Sequence, residues 1–244
     1  MTRAFESRAF ARAYDAYVLP AQWQEQPEYY ARYRSRYAAL MERYATLLGP
    51  DPIDVLEVGG GQLALLAKVL WGDRAVVADF AGPQFAYLRS HGVGTQVWDL
   101  CGTQQPFENA FDTVFLSEVI EHLPVPGHLV LERLRRALRP GGKLVCSTPN
   151  LYRPRNIVYM ALGIPIFDNF TFPTQHGLGH VLEYSVDHLR FQIERAGFKD
   201  CRIELRHFGH NPTRILPRLL AWVGAPLYLL PRFRGNLLAT ATAP

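Results

Sequence analysis

Glu57-Val58-Gly59-Gly60-Gly61 places one acid and three glycines within five positions, at the end of a short apolar run. Glycines let the backbone turn sharply and bring its amides close to a ligand, while a carboxylate there can accept hydrogen bonds from an amine. Two further acids, Asp79 and Asp99, each close a short β-prone run further along. The three acids together suit a nucleoside-type cofactor, whereas a bare glycine trio would serve equally as a tight turn. A second group is Ser117-Glu118-Val119-Ile120-Glu121-His122. On a helix, Glu118, Glu121 and His122 would fall at i, i+3 and i+4 on one face, able to share a proton or hold one hard cation. His122 is also the candidate general base, because an imidazole titrates near neutral pH. The alternative is a histidine that caps or packs beside Pro124 with the glutamates in solvent. His176 and His180, four apart, could contact an acceptor or a metal, but Gly177 and Gly179 argue against the helix that would align their rings.

Such residues need strand ends to hold them. Residues 53–58 form a short run with β-branched members, the glycines a turn, and residues 63–70 a helix. The unit recurs as strand 75–78, helix 84–90, strand 95–98 and strand 111–116, after which 117–122 opens another helix. An amphipathic helix 129–138, a turn at Arg139-Pro140-Gly141-Gly142 and a strand 143–147 follow. This alternation predicts an α/β fold on a doubly wound, mostly parallel sheet, in which ligands sit beyond the carboxyl ends of the strands. After an irregular insertion at 148–184, a helix 186–196 and strands 199–208 and 236–242 predict an antiparallel hairpin at the sheet edge. Residues 1–49 read as an N-terminal helical cap before a main domain at 50–244. Within that cap Tyr29, Tyr33, Tyr37, Leu40 and Tyr44 recur at helical spacing up to Gly49-Pro50.

With 244 residues, 48% hydrophobic and 20% charged, the chain can bury one full-sized core, which excludes disorder or coiled coil as its main content. The formal charge of +4 is concentrated at the end: residues 201–244 hold six arginines and one glutamate. Three well-separated cysteines give neither a disulfide framework nor a zinc ribbon and fit a reducing cytoplasm. Arg3, Glu6, Arg8 and Arg12 interrupt any signal-peptide core, and no stretch approaches the roughly 20 apolar residues of a membrane span. The expectation is a cytoplasmic chain with peripheral membrane contact as an added option.

The order of motifs adds more than any one of them. The acid-x-Gly-x-Gly loop, an acid 22 positions on, Val97-Trp98-Asp99-Leu100, Phe111-Asp112-Thr113-Val114, Glu121-His122-Leu123 and Leu138-Arg139-Pro140-Gly141-Gly142-Lys143-Leu144 follow one another. In this the chain resembles the S-adenosylmethionine-dependent methyltransferases of the Rossmann-like class over residues 53 to about 208. Ser117–His122 and Ser147-Thr148-Pro149-Asn150 look most like the ubiquinone-biosynthesis O-methyltransferase group. The resemblance implies a seven-stranded sheet with a reversed final hairpin, S-adenosylmethionine as cofactor, and a divalent metal as a further option at Glu118, Glu121 and His122. It places Glu57, Gly59, Gly60 and Gly61 at the methionine portion, Asp79 with Phe80 at the ribose, Asp99 and Leu100 at the adenine, and Ser117 at the pocket edge. Leu63 stands where the family pattern has a third glycine, which keeps a non-catalytic cofactor-binding scaffold in view. A dinucleotide dehydrogenase is the nearest rival, but Glu57 would face its pyrophosphate.

The acceptor is set by what covers the pocket: the N-terminal helices and residues 148–184 and 209–235. Tyr152, His176 and His180 are the acceptor-side candidates, and the expected acceptor is a small molecule, a lipid-like compound or a glycan, methylated at oxygen. Residues 212–235 interleave leucines with Arg214, Arg218, Arg232 and Arg234, a pattern that suits an anionic membrane, a lid or a dimer face. RNA could use the same arginines, but the rest of the chain carries no basic excess, so nucleic acid is not favoured.

Overall fold

The computed structural model describes residues 2–21, 23, 27–80, 82, 84–167, 179–208 and 225–244. Seven strands form one sheet: β1 Asp54–Val58, β2 Arg74–Asp79, β3 Gly94–Val97, β4 Phe111–Ser117, β5 Leu138–Pro149, β6 Lys199–Arg206 and β7 Asn236–Thr242. Their spatial order is β3-β2-β1-β4-β5-β7-β6. The first five run parallel, and β7 lies antiparallel between β5 and β6. β1 and β4 sit mid-sheet and are buried along nearly their whole length, which is why their sequences are nearly continuous apolar runs. Chain direction of travel reverses between them, so the crevice beyond their carboxyl ends is the topological switch point.

Helices cover both faces: α1 Ser7–Ala13, α2 Pro27–Thr46, α3 Gln62–Trp71, α4 Gln84–Ser90, α5 Gly127–Ala137, α6 Pro154–Ala161 and α7 Val186–Arg195. On one face, Leu131 and Leu134 of α5 and Leu189 and Ile193 of α7 pack against Leu56 and Val114. On the other, Tyr14, Leu40, Met41 and Tyr44 pack with Leu63 and Leu66 of α3 and Phe115 of β4. Residues expected to form a cap thus share the sheet's own core. A buried ion pair fastens the N-terminus there: Arg3 Nη1 lies 2.6 Å from Asp73 Oδ2, and the Tyr44 hydroxyl donates to the same oxygen at 2.6 Å.

Three expectations are corrected. The helix expected from residue 117 is absent: β4 ends at Ser117, Glu118 takes φ +54°, and only a 3-10 turn, Ile120–His122, follows. The insertion at 148–184, expected to be irregular, contains α6, started by Pro154 in its first turn. β5 begins at Leu138 and absorbs the expected turn, with Gly141 at φ +78° and an irregularity in its pairing with β4. No helix among the described residues is long and apolar enough to cross a membrane.

Candidate active site at the carboxyl edge of the sheet

The three glycines after β1 all have positive φ, +78°, +60° and +118° for Gly59, Gly60 and Gly61, a region L side chains rarely adopt. At Gly59 a Cβ would come within 2.7 Å of Val119 Cγ2, and at Gly61 within 2.8 Å of Leu88 Cδ1. The tight loop therefore needs both glycines, and α3 starts directly behind it. Glu57, 2% exposed, reaches across the loop and accepts the Ala64 amide proton at 2.7 Å, satisfying one of the open N–H groups of the helix start. Burial pushes its carboxyl up to about 8, even though the Ala64, Gly61 and Leu63 amides favour the anion. Leu63 is fully buried in the core shared with α2, so the departure from the family glycine is taken up by packing.

Asp79 ends β2 next to this loop. Its Oδ1 accepts the Phe80 amide at 2.7 Å and its Oδ2 accepts from Gln84 Nε2 at 3.0 Å. Gln84 Oε1 is buried without a hydrogen-bond partner among the described residues, which leaves a second acceptor in the same corner. Phe80 is 47% exposed on the rim. Asp99, beyond β3, is exposed and turns the chain by accepting the Cys101 amide at 2.8 Å, while Leu100 is buried behind it. Acids thus stand at the ends of β1, β2 and β3 in sequence, with a glycine cradle beside the first. A ligand carrying an ammonium, a ribose diol and an adenine amine fits this acceptor-rich edge.

The other half of the edge differs from the expected helix face. Ser117 Oγ lies 2.9 Å from Ser147 Oγ, which donates to Glu118 Oε1 at 2.9 Å. Glu118 is further bound by Arg36 of α2 at 3.1 Å. Arg36 is itself buried among tyrosines, its guanidinium 4.6 Å over the Tyr33 ring and 5.4 Å over those of Tyr29 and Tyr37. Glu118 therefore points to α2 and leaves the group expected with it.

Glu121, His122 and His180 converge instead, with one donor atom from each within 4.8 Å of the others. Glu121 is fully buried and accepts from the Thr148 hydroxyl at 2.9 Å; its other oxygen has no hydrogen-bond partner among the described residues and lies 4.0 Å from His122 Nε2. Burial and the charge of Glu118 lift the Glu121 carboxyl well above the usual range. His122 Nδ1 is 3.0 Å from the Gly179 carbonyl, which can only accept, so Nδ1 carries the proton and the lone pair is on Nε2. His180 Nδ1 lies 2.9 Å from Glu183 Oε1, and the two imidazoles meet edge-on at 4.9 Å. Burial works against charge on Glu183, yet His180, Arg153 and Asn156 hold its carboxyl below the usual value. Tyr152 is half exposed on the same rim, and its amide is fixed by Asn150 Oδ1 at 3.1 Å. His176 and residues 209–224 lie outside the described residues.

Arg36, Thr148 and Glu183 were not among the sequence candidates. The Arg36 signal was present in the tyrosine stripe around it, and Glu183 stands three positions after His180.

No curated protein matches the chain in sequence. Solved structures do resemble it. An S-adenosylmethionine-dependent methyltransferase from Thermotoga maritima, 16% identical, is matched over 98% of this chain and 100% of its own at a TM-score of 0.60. One from Archaeoglobus fulgidus, also 16% identical, is matched over 86% and 93% at 0.58. The Burkholderia thailandensis 1,6-didemethyltoxoflavin N1-methyltransferase, solved with 1,6-didemethyltoxoflavin and S-adenosylhomocysteine, is 18% identical over 87% and 78% at 0.52. At such identities the likeness is one of fold. The family model for the methyltransferase domain matches residues 29–202, across the glycine loop, all three acids and the histidine cluster, and the chain belongs to that methyltransferase-domain family.

Proposed function

We propose that this methyltransferase uses S-adenosylmethionine as donor and methylates a hydroxyl of a small-molecule, lipid-like or glycan acceptor. The observation that carries the donor is the acceptor-rich edge: Glu57 behind three positive-φ glycines, then Asp79 and Asp99 at consecutive strand ends. Glu57 and the loop amides would hold the methionine portion, Asp79 the ribose hydroxyls, and Asp99 with Leu100 the adenine. When bound, the sulfonium supplies a methyl group that is already activated. The chain's own part is then to align the acceptor, exclude water and remove one proton. His122 suits that last step, since its Nδ1–H is tied to the Gly179 carbonyl and the lone pair is on Nε2. Ser117–His122 and Ser147–Asn150 support placing the chain beside small-molecule O-methyltransferases.

A second reading rests on the convergence of Glu121, His122 and His180. Two imidazoles and a carboxylate suit a divalent transition-metal cation such as zinc or manganese, and Glu183 behind His180 would orient that ring as a second-layer partner. The two readings compete for His122 Nε2. Transfer of labelled methyl from S-adenosylmethionine to a panel of phenols, sugars and lipid alcohols tests the main one. His122→Ala should lower kcat about 10²- to 10⁴-fold while leaving the donor KM unchanged. Unchanged turnover would remove His122 from the chemistry, and donor binding without transfer to any acceptor would favour a scaffold.

A further inference from the structure

Soluble domains scatter their large exposed apolar side chains singly, so a concentration of them marks a surface in use. Here six gather on two stretches: Tyr152, Met160, Leu162 and Phe167 on and around α6, and Leu229 and Leu230 at the 3-10 turn Ala225–Leu229. Leu229 is 84% exposed. α6 packs against that turn. Asn150 ties the stretches together by donating to the carbonyls of Arg232 and Arg234 at 2.9 and 2.8 Å. Both hang from the carboxyl edge of the sheet, where the end of β5 pairs with the start of β7. The charge there has one sign. Residues 151–167 contain Arg153 and Arg155, and residues 225–235 contain Arg232 and Arg234, with no acid in either stretch; Arg153 is paired with the buried Glu183 behind it.

We infer that this rim docks the protein on an anionic lipid surface, with Leu162, Leu229 and Leu230 entering the interface and Arg155 and Arg232 meeting lipid phosphates. Charge decides against a second copy of the chain as the occupant. In a two-fold dimer the rim would face itself, arginine against arginine, with no carboxylate on the described surface of either stretch to offset them. A phosphate-rich lipid surface supplies the missing sign, and leucines between arginines are the composition that interfacial segments use. Docking of this kind does not depend on the methyl-transfer reading.

Sedimentation of the full chain with phosphatidylcholine vesicles, with and without phosphatidylglycerol, tests the inference. Binding should require phosphatidylglycerol and weaken with salt, as the Debye length shrinks from about 10 Å at 0.1 M to about 3 Å at 1 M. Leu229→Glu and Leu162→Glu should each weaken partitioning at least about tenfold, and Arg232→Gln about fivefold. All three sites are at the surface, and an unchanged melting temperature will show that the variants fold. Equal binding to neutral vesicles, or none to either kind, would overturn the inference. So would a dimer in analytical ultracentrifugation that Leu229→Glu dissociates.

Discussion

Glu57→Gln isolates the strongly shifted carboxyl behind the glycine loop. The side chain is 2% exposed, and burial lifts its carboxyl from 4.5 to about 8. Below 4.5 both the native and the unfolded chain hold the proton, so the fold pays no penalty. Above it the unfolded chain releases the proton while the native state keeps it, and stability falls by up to about 1.4 kcal/mol per pH unit until about pH 8. Between about pH 5.5 and 7.5 the loss attributable to Glu57 is therefore about 2 to 3 kcal/mol. Glutamine cannot ionise, yet its amide oxygen can still accept the Ala64 N–H that Glu57 accepts at 2.7 Å. The assay is urea denaturation of ligand-free wild type and variant at several pH values. The difference between them is the quantity to follow, because Glu121, raised in the same direction, contributes to both. The variant should gain on the wild type by about 2 to 3 kcal/mol across the window. Parallel curves would mean that Glu57 ionises normally and that the buried-loop reasoning fails.

Arg36→Met should destabilise the fold by about 3 to 5 kcal/mol, because it strands Glu118 without its cation. Arg36→Met with Glu118→Gln should recover much of that loss in the same urea assay; no recovery would locate the cost in the tyrosine packing. If a cation occupies the histidine cluster, elemental analysis should find about one equivalent of zinc or manganese per chain after loading, lost in His180→Ala and retained in Glu118→Gln. The opposite pattern would restore the ligand set of Glu118, Glu121 and His122.

Local sequence carried the parallel half of the sheet because short-range signals govern it. The apolar runs of β1 and β4, the glycine loop and the acids ending β2 and following β3 need only neighbours in sequence, and α4 falls on residues 84–90 as its pattern predicts. Ser117–His122 failed for a tertiary reason. Its spacing reads as a helix face, but the Glu118 amide donates to the Ser147 carbonyl at 2.8 Å, its carboxylate pairs with Arg36, and its φ is +54°. The meeting of His122 with His180 was equally hidden, since Val181 and Leu182 donate to the Glu121 carbonyl across a long insertion. No periodicity encodes such a contact. α6 escaped because Pro154, Gly163 and Pro165 bracket it closely and make the stretch read as irregular.

Calorimetric titration of wild type and Asp79→Ala with S-adenosylmethionine and S-adenosylhomocysteine, with NAD as control, bears most directly on the donor site. Two ribose hydroxyls hydrogen-bonded to a carboxylate are worth about 1.5 to 3 kcal/mol each, so the variant should bind at least tenfold more weakly. Its melting curve should stay cooperative, which separates lost contacts from lost fold. Binding of both sulfur nucleosides by the wild type, weakened in the variant and absent for NAD, is the expected result. Equal affinity in the two proteins, or no binding by the wild type, would contradict the assignment of this strand edge to the methyl donor.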